Sequence, residues 1–180
     1  ERVPGGDFHV GEMEDLPFPD QSFDVVTGFN SFQFASDPLE ALAEARRCTR
    51  KQGLVSITVW GRAEDCEAAT HLAAIASLLP PPSPGAPGPF ALSQDGALEA
   101  LACQAGLEPV MLDEVGVVWI YPDEETLLRG FLSAGPNIKA IRHAGEERVK
   151  EATLNALAPF RTRTGGYEIR NRFRYLTARA

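Results

Sequence analysis

The sequence predicts an α/β fold with a mostly parallel sheet, an antiparallel last strand and a helical lid. Three observations carry that expectation. Phe23–Phe29 is a short run in which Val25 and Val26 break polar alternation, as a strand covered on both faces would. Asp37-Pro38 then opens a helix, with Asp as N-cap and Pro in the first helical position. Leu54–Trp60, rich in β-branched residues, supplies the following strand. Strand, helix and strand in this order call for crossover connections around a largely parallel sheet.

Taken in order, Pro4-Gly5-Gly6 punctuates a turn-rich lead-in, and Asp7–Val10 reads as a first strand. An acidic loop containing Leu16-Pro17-Phe18-Pro19 connects it to Phe23–Phe29, and an aromatic-rich turn over residues 30–36 leaves that strand. Leu39, Leu42, Ala43 and Ala45-Arg46 continue the helix from Asp37 with helical spacing, and Lys51-Gln52-Gly53 stops it. Glu64–Leu79 is expected as a helix with an Ala/Leu/Ile stripe, and Pro80–Phe90 as a stiff connector excluded from helix and inner strand. Ser93–Gly106 is the next amphipathic helix, and Leu107–Ile120 a strand interrupted near Gly116. Pro122–Ala134 carries Asp123, Glu124 and Glu125 in a first helical turn, where the helix dipole favours them. Gly145–Ala158 is a further helix, with Glu146 and Lys150 spaced for an ion pair. Gly165-Gly166 turns the chain into a last strand, Tyr167–Thr177, with Arg170, Arg172 and Arg174 on one face and Asn171, Phe173 and Tyr175 on the other.

With 180 residues, 44% hydrophobic and 23% charged, the chain is expected to be one soluble globular domain with a real core. Within it, residues 64–90 and 122–137 form the lid. The net charge of −8 argues against a general nucleic-acid binder, which needs a basic stripe to displace counterions. Ten Lys/Arg against four Asp/Glu after residue 138 leave about −14 on the preceding part. Cys48, Cys66 and Cys103 are widely spaced and outside any CxxC or His-rich cluster, so free thiols in a reducing cytoplasm are expected, with no metal site. No apolar run approaches the roughly 20 residues of a membrane helix. The chain starts at Glu1 without Met, close to its first strand, which suggests a start inside a larger domain or after processing.

Ligands of parallel α/β sheets bind beyond the carboxyl ends of the strands, which makes Gly11–Asp15 and Gly28–Asn30 candidate contacts. His71, on the predicted lid helix, and His143, in the loop before the last predicted helix, are the side chains able to act as a base near neutral pH. His9 reads as structural.

The run Gly11-Glu12-Met13-Glu14-Asp15-Leu16-Pro17-Phe18, followed by Phe23-Asp24-Val25-Val26, Asp37-Pro38, Arg46-Arg47-Cys48-Thr49-Arg50 and Gly53, resembles the class I S-adenosylmethionine-dependent methyltransferases. Within them it is similar to the small-molecule group related to quinone-biosynthesis methylases. The resemblance implies a Rossmann-like sheet and S-adenosylmethionine as cofactor. It implies that Glu12 accepts from the adenine amino group, that the Met13 N–H donates to the ring, and that Leu16 and Phe18 wall the purine. Gly28, Phe29 and Asn30 would lie along the methionine portion. Gln33 and Phe34 stand where the family has an aromatic or His pair facing cofactor and substrate.

One feature departs from the family: no G-x-G turn occurs upstream of residue 11, and the strands that carry it are missing. Asp7–Val10 then lacks a lateral partner and Phe23–Phe29 has an open edge, able to pair with a second copy. The expectation is a truncated methyltransferase domain acting on a small molecule, inactive without the missing half of its cofactor site. The alternative is a non-catalytic remnant that serves as a binding or oligomerisation module. A nicotinamide enzyme on a related sheet fits the Leu-Pro-Phe loop less well. Methyl transfer from a sulfonium depends mainly on alignment, so the sequence names no catalytic residue.

Overall fold

The computed structural model describes residues 4–81 and 88–180. The four strands β1 (Phe23–Phe29), β2 (Thr49–Trp60), β3 (Glu108–Tyr121) and β4 (Tyr167–Arg179) form one sheet in the order β1-β2-β4-β3. β1 and β2 run parallel, with Val25 opposite Leu54 and Phe29 opposite Thr58. β4 runs antiparallel to β2: the Ala180 N–H donates to the Gly53 carbonyl at 3.0 Å and the Gly61 N–H to the Arg172 carbonyl at 2.8 Å. The ion pairs Glu114–Arg174 and Glu108–Arg179 place β3 antiparallel to β4. β1, β2 and β3 therefore run in one direction and the last strand, β4, runs against them, as the sequence predicts.

The chain divides into two compact units, Glu1–Trp60 with Pro89–Glu114 and Arg174–Ala180, and Gly61–Gly88 with Val115–Phe173. In the first unit, α1 (Pro38–Cys48) joins β1 to β2. Asp37 caps it as expected, its Oδ1 accepting from the N–H groups of Leu39 at 2.9 Å and Glu40 at 3.3 Å. Ala41, Leu42, Ala45 and Cys48 form its buried stripe. The stripe belongs to a core with Val55, Ile57 and Val59 of β2, Leu98 and Ala102 of α3 (Ala97–Gln104), and Leu176 and Ala178 of β4. The 3.6-residue spacing on α1 and the two-residue spacing on β2 each bring one apolar face to the same place.

Several boundaries differ from expectation. Asp7–Val10 is not a strand, and Phe8 and Val10 are fully open to solvent. Among the described residues no strand lies beside β1 on that side, so the segment has no ladder to join. Only one face of β1 is covered, against the expectation of two. Val26 packs on the core, whereas Phe23, Val25 and Phe29 are exposed. Lys51-Gln52-Gly53 does not separate α1 from β2 but forms an irregularity inside the strand, where the β1 register shifts between Phe23 and Val25 and Gln52 takes φ +67°. Gly53 is required there, since a Cβ would lie 2.6 Å from the Asp24 carbonyl oxygen. β3 runs unbroken through Gly116, which does not adopt a positive φ. The helix expected over Ser93–Gly106 is shortened to α3, and Gly106, at φ +79°, ends it as expected.

In the second unit, α2 (Ala68–Ala76), α4 (Glu124–Leu132), α5 (Gly135–Ala144) and α6 (Glu146–Leu157) pack around Ile75, Ala140 and Val149. α2 is shorter than the expected 64–79, and the Asn171 Oδ1 accepts the Ala68 N–H at its start, 3.1 Å away. Asp123 caps α4, its Oδ1 accepting the Thr126 N–H at 2.7 Å. α5 is a helix the sequence reading does not contain. The Glu146–Lys150 pair forms at 2.8 Å. Residues 122–137 and most of 64–90 fall in this unit, while 82–87 of the expected Pro-rich connector lie outside the described residues.

The expected faces of β4 hold only at its start. Arg170 and Arg172 are exposed opposite buried Tyr167, Ile169, Asn171 and Phe173. Past Phe173, where the strand passes into the first unit, the other face is buried through Arg174, Leu176 and Ala178. The buried Arg174 guanidinium is neutralised by Glu114 at 3.1 Å, as a charge removed from water requires.

Candidate functional site

The acidic loop between Gly11 and Ser22 has no regular structure of its own and is held by α1. It contains a turn closed by the Asp15 N–H donating to the Glu12 carbonyl at 3.3 Å and a tighter one closed by the Phe18 N–H donating to the Leu16 carbonyl at 2.7 Å. Glu14 accepts the Asp37 N–H at 3.0 Å, which ties the loop to the start of α1 and holds the Glu14 carboxyl below its ordinary pKa. At the other end of the helix, Glu44 and Arg47 form a clamp. The Leu16 N–H donates to Glu44 Oε2 at 2.9 Å, and Arg47 donates to the carbonyls of Leu16 at 3.1 Å and Phe18 at 2.9 Å. Arg47 also pairs with Asp20 at 2.7 Å and with Glu44 at 2.6 Å. The Arg47 hydrogen bond holds the Glu44 carboxyl below its ordinary pKa, so the clamp stays charged.

The clamp orders a short surface. Glu12 is exposed and makes no ion pair among the described residues, while Met13, Leu16 and Phe18 are half-buried. Met13 packs against the core of the first unit. The Phe18 ring meets His9 and Phe23 edge-on, each at 5.0 Å between centroids. His9, in turn, lies 3.0 Å from Asp7.

The second part of the site follows β1. Gly28 is buried, and a Cβ there would lie 2.1 Å from the Phe32 ring, so only glycine lets the chain fold back on itself. Asn30 takes φ +48°, and its N–H donates to the Thr58 carbonyl at 2.8 Å. A single turn, Phe32–Phe34, follows. Gln33 is buried and its Nε2 donates to Asn30 Oδ1 at 3.3 Å, while Phe29 and Phe34 are exposed.

His71 and His143 belong to the second unit. His71 is buried, its ring 4.5 Å from that of Phe131 and its Nε2 3.3 Å from Thr153 Oγ1. Burial pushes its pKa down to about 4, so it stays neutral inside the helical core. His143 is exposed in the last turn of α5, not in a loop. The three cysteines are free, Cys48 and Cys66 buried and Cys103 exposed. Among the described residues no group of three or more His, Cys, Asp and Glu could hold a metal, and no helix is long and apolar enough to cross a membrane.

Residues 1–57, which contain the clamped loop, β1 and α1, match a family model described as a methyltransferase domain. Over this segment the chain is similar to the class I S-adenosylmethionine-dependent methyltransferases. Over 56 residues it is 39% identical to a demethylmenaquinone methyltransferase of Thermotoga maritima, and over 55 residues 36% identical to an uncharacterised methyltransferase of Schizosaccharomyces pombe. Each match covers 31% of this chain but only 24% and 20%, respectively, of those proteins. The class I fold extends further than the sequence match. A Bacillus halodurans structure described as a methyltransferase aligns with TM-score 0.54 at 17% identity, over 94% of this chain and 75% of the other. The [4+2]-cyclase SpnF aligns with TM-score 0.51 at 20% identity, over 96% and 56%. A cyclase among the neighbours means that this fold alone does not specify the reaction.

Sequence reasoning missed Glu44 and Arg47 as positioning residues. Their i, i+3 spacing marks a helix-surface pair, but nothing in the sequence says that the pair faces a loop more than twenty residues upstream.

Proposed function

We propose that this chain contributes the adenine side of an S-adenosylmethionine site, and that the protein transfers a methyl group to a small-molecule acceptor. The observation that carries the reading is the clamped Gly11–Phe18 loop within the segment that matches the methyltransferase model. The residues present suit the cofactor: Glu12 offers an exposed carboxylate, Leu16 and Phe18 are half-buried apolar groups, and buried Gln33 Oε1 has no hydrogen-bond partner among the described residues. In this reading Glu12 accepts from the adenine amino group and the Met13 N–H donates to the ring. Leu16 and Phe18 flank the purine, while Gly28, Phe29 and Asn30 border the amino-acid portion. Bound S-adenosylmethionine supplies an electrophilic methyl group. The protein's task is then to orient the acceptor in line with it and to exclude water, with Phe34 and Gln33 as the contacts toward the acceptor. The Thermotoga relative's name supports a quinone-like acceptor.

A second reading rests on β1 as an edge strand among the described residues, where Phe23, Val25 and Phe29 are exposed. Such an edge suits a non-catalytic module that pairs with a second copy. Calorimetric titration with S-adenosylhomocysteine separates the two. The methyltransferase reading expects saturable binding by this chain, or by a longer polypeptide carrying a glycine-rich turn upstream; binding by neither would overturn it. The second reading expects no binding, and a dimer in sedimentation that Val25→Lys dissociates.

A further inference from the structure

Among the described residues β3 is an edge strand, with β4 beside it and no strand on its other side. Native sheets blunt such edges with short strands, lysines or prolines, because an edge recruits other chains. β3 uses almost none of these devices. It runs for 14 residues from Glu108 to Tyr121, contains no Lys or Arg, and has its one proline at its second residue. Val110, Met111, Leu112, Val115, Val118 and Ile120 are all exposed along it.

The charges on the strand select the kind of partner. Its acidic residues are already answered within the sheet: Glu114 pairs with Arg174 at 3.1 Å, Glu108 pairs with Arg179 at 3.4 Å, and Asp113 accepts from the Tyr175 hydroxyl at 3.4 Å. A basic segment finds little left to read there. From Val115 to Tyr121 the strand carries no charge, so its complement is another uncharged, apolar strand. β3 is itself such a strand. Of the other strands, β1 carries Asp24, and the uncharged run Gly53–Trp60 of β2 lies inside the sheet.

Register follows from the same pattern. In antiparallel self-pairing, residues equidistant from a two-fold axis face each other. An axis at Val118 pairs the uncharged block with itself, Val117 against Trp119, Gly116 against Ile120 and Val115 against Tyr121, and leaves Asp113 and Glu114 outside it. An axis at Asp113 or Glu114 would set a carboxylate against its own copy, which is destabilising. Pairing about a two-fold axis also consumes both β3 edges, so assembly through this strand stops at two chains.

We propose that β3 is the interface of a homodimer, in which Val115–Tyr121 pairs antiparallel with the same segment of a second copy about an axis at Val118. Two four-stranded sheets then become one. The pairing uses the opposite edge from β1 and holds whether or not the chain binds S-adenosylmethionine.

The test is sedimentation of the full chain as wild type, Val118→Lys and Val25→Lys. Wild type is expected at twice the mass of one chain. Val118→Lys sets two ammonium groups face to face at the axis and is expected at the mass of one chain. Its far-UV circular dichroism is expected to be unchanged, because Val118 is exposed in the single chain. Val25→Lys, the same substitution on the other edge, is expected to remain a dimer. A wild type of single-chain mass overturns the inference, as does a Val118→Lys protein that stays dimeric. A dimer that only Val25→Lys dissociates also overturns it, in favour of pairing through β1. Cross-linking supplies an arm without added charge. With Cys103→Ser as background, Val118→Cys faces its own copy at a separation a disulfide can span, and is expected to give a covalent dimer under mild oxidation that a thiol reductant reverses. Val25→Cys in the same background is expected to stay uncross-linked. Equal cross-linking of the two variants would overturn the inference.

Discussion

Between pH 7 and pH 4 the wild-type protein is expected to lose about 3 kcal/mol of stability that a His71→Gln variant does not lose, following the ~1.4 kcal/mol carried by each unit of pKa shift. His71 is buried among Phe131, Thr153 and Asn137, none of them charged, and burial pushes its pKa down to about 4. The unfolded chain binds a proton at His71 near the ordinary value, so between that value and pH 4 the unfolded state holds more protons than the folded one. Stability therefore rises with pH across that window, and the contribution is complete above it. Carboxylates held low in the folded protein, such as Glu44 and Asp123, also lose stability in acid, but equally in both proteins, so they cancel in the difference. Urea unfolding of both proteins at pH 7, 5.5 and 4 measures the effect. Parallel pH slopes would mean that His71 is not buried neutral.

Glu44→Ala is expected to cost about 1–2 kcal/mol, the scale for removing a part-buried, charged hydrogen-bonding partner. The substitution leaves the Leu16 N–H without its acceptor and Arg47 without its closest counter-charge. Glu44→Gln keeps an acceptor for Leu16 while discarding the charge, and is expected to fall between. Because the Glu44 carboxyl titrates below its ordinary value, the wild-type advantage is present above that ordinary value and shrinks as pH falls through the folded one. Amide hydrogen exchange gives the local readout: the Leu16 N–H is expected to exchange much faster in Glu44→Ala. Unchanged exchange would show that the clamp does not hold the loop.

Much of the first unit was legible because its signals are local. Asp37 and Pro38 set the start of α1, glycine at positive φ ends α3, and the apolar run at Phe23–Phe29 matches β1 residue for residue. The misreadings share a physical cause, dependence on something distant in the chain. Asp7–Val10 has strand-like residues, but strand formation needs a neighbour to accept its hydrogen bonds. Arg174 continues an alternation that places it outside, yet β4 changes its buried face after Phe173 and Glu114 and Asp95 are there to neutralise it. α5 was missed although Pro136 in its first turn and Arg142 and His143 in its last follow the same rules as α1, because Gly135-Pro136 reads equally as a loop.

The site divides in the same way. The Gly11–Phe18 loop is visible as a motif, but its rigidity comes from Glu44 and Arg47, which no motif on the loop announces. Gln33 is named by its position, whereas its unsatisfied oxygen exists only in three dimensions. His71 illustrates the converse: the sequence offers it as a candidate base, and its burial against Phe131 and Thr153 is visible only in three dimensions.

The central claim is that Glu12–Phe18 and the turn after β1 border one S-adenosylmethionine site. The most direct measurement is amide chemical-shift mapping of the isotopically labelled protein during titration with S-adenosylhomocysteine. The account predicts saturable shifts concentrated at Glu12, Met13, Leu16 and Phe18 and from Gly28 to Gln33. Saturable shifts confined to the helices α2, α4, α5 and α6, with those two segments unmoved, would contradict it.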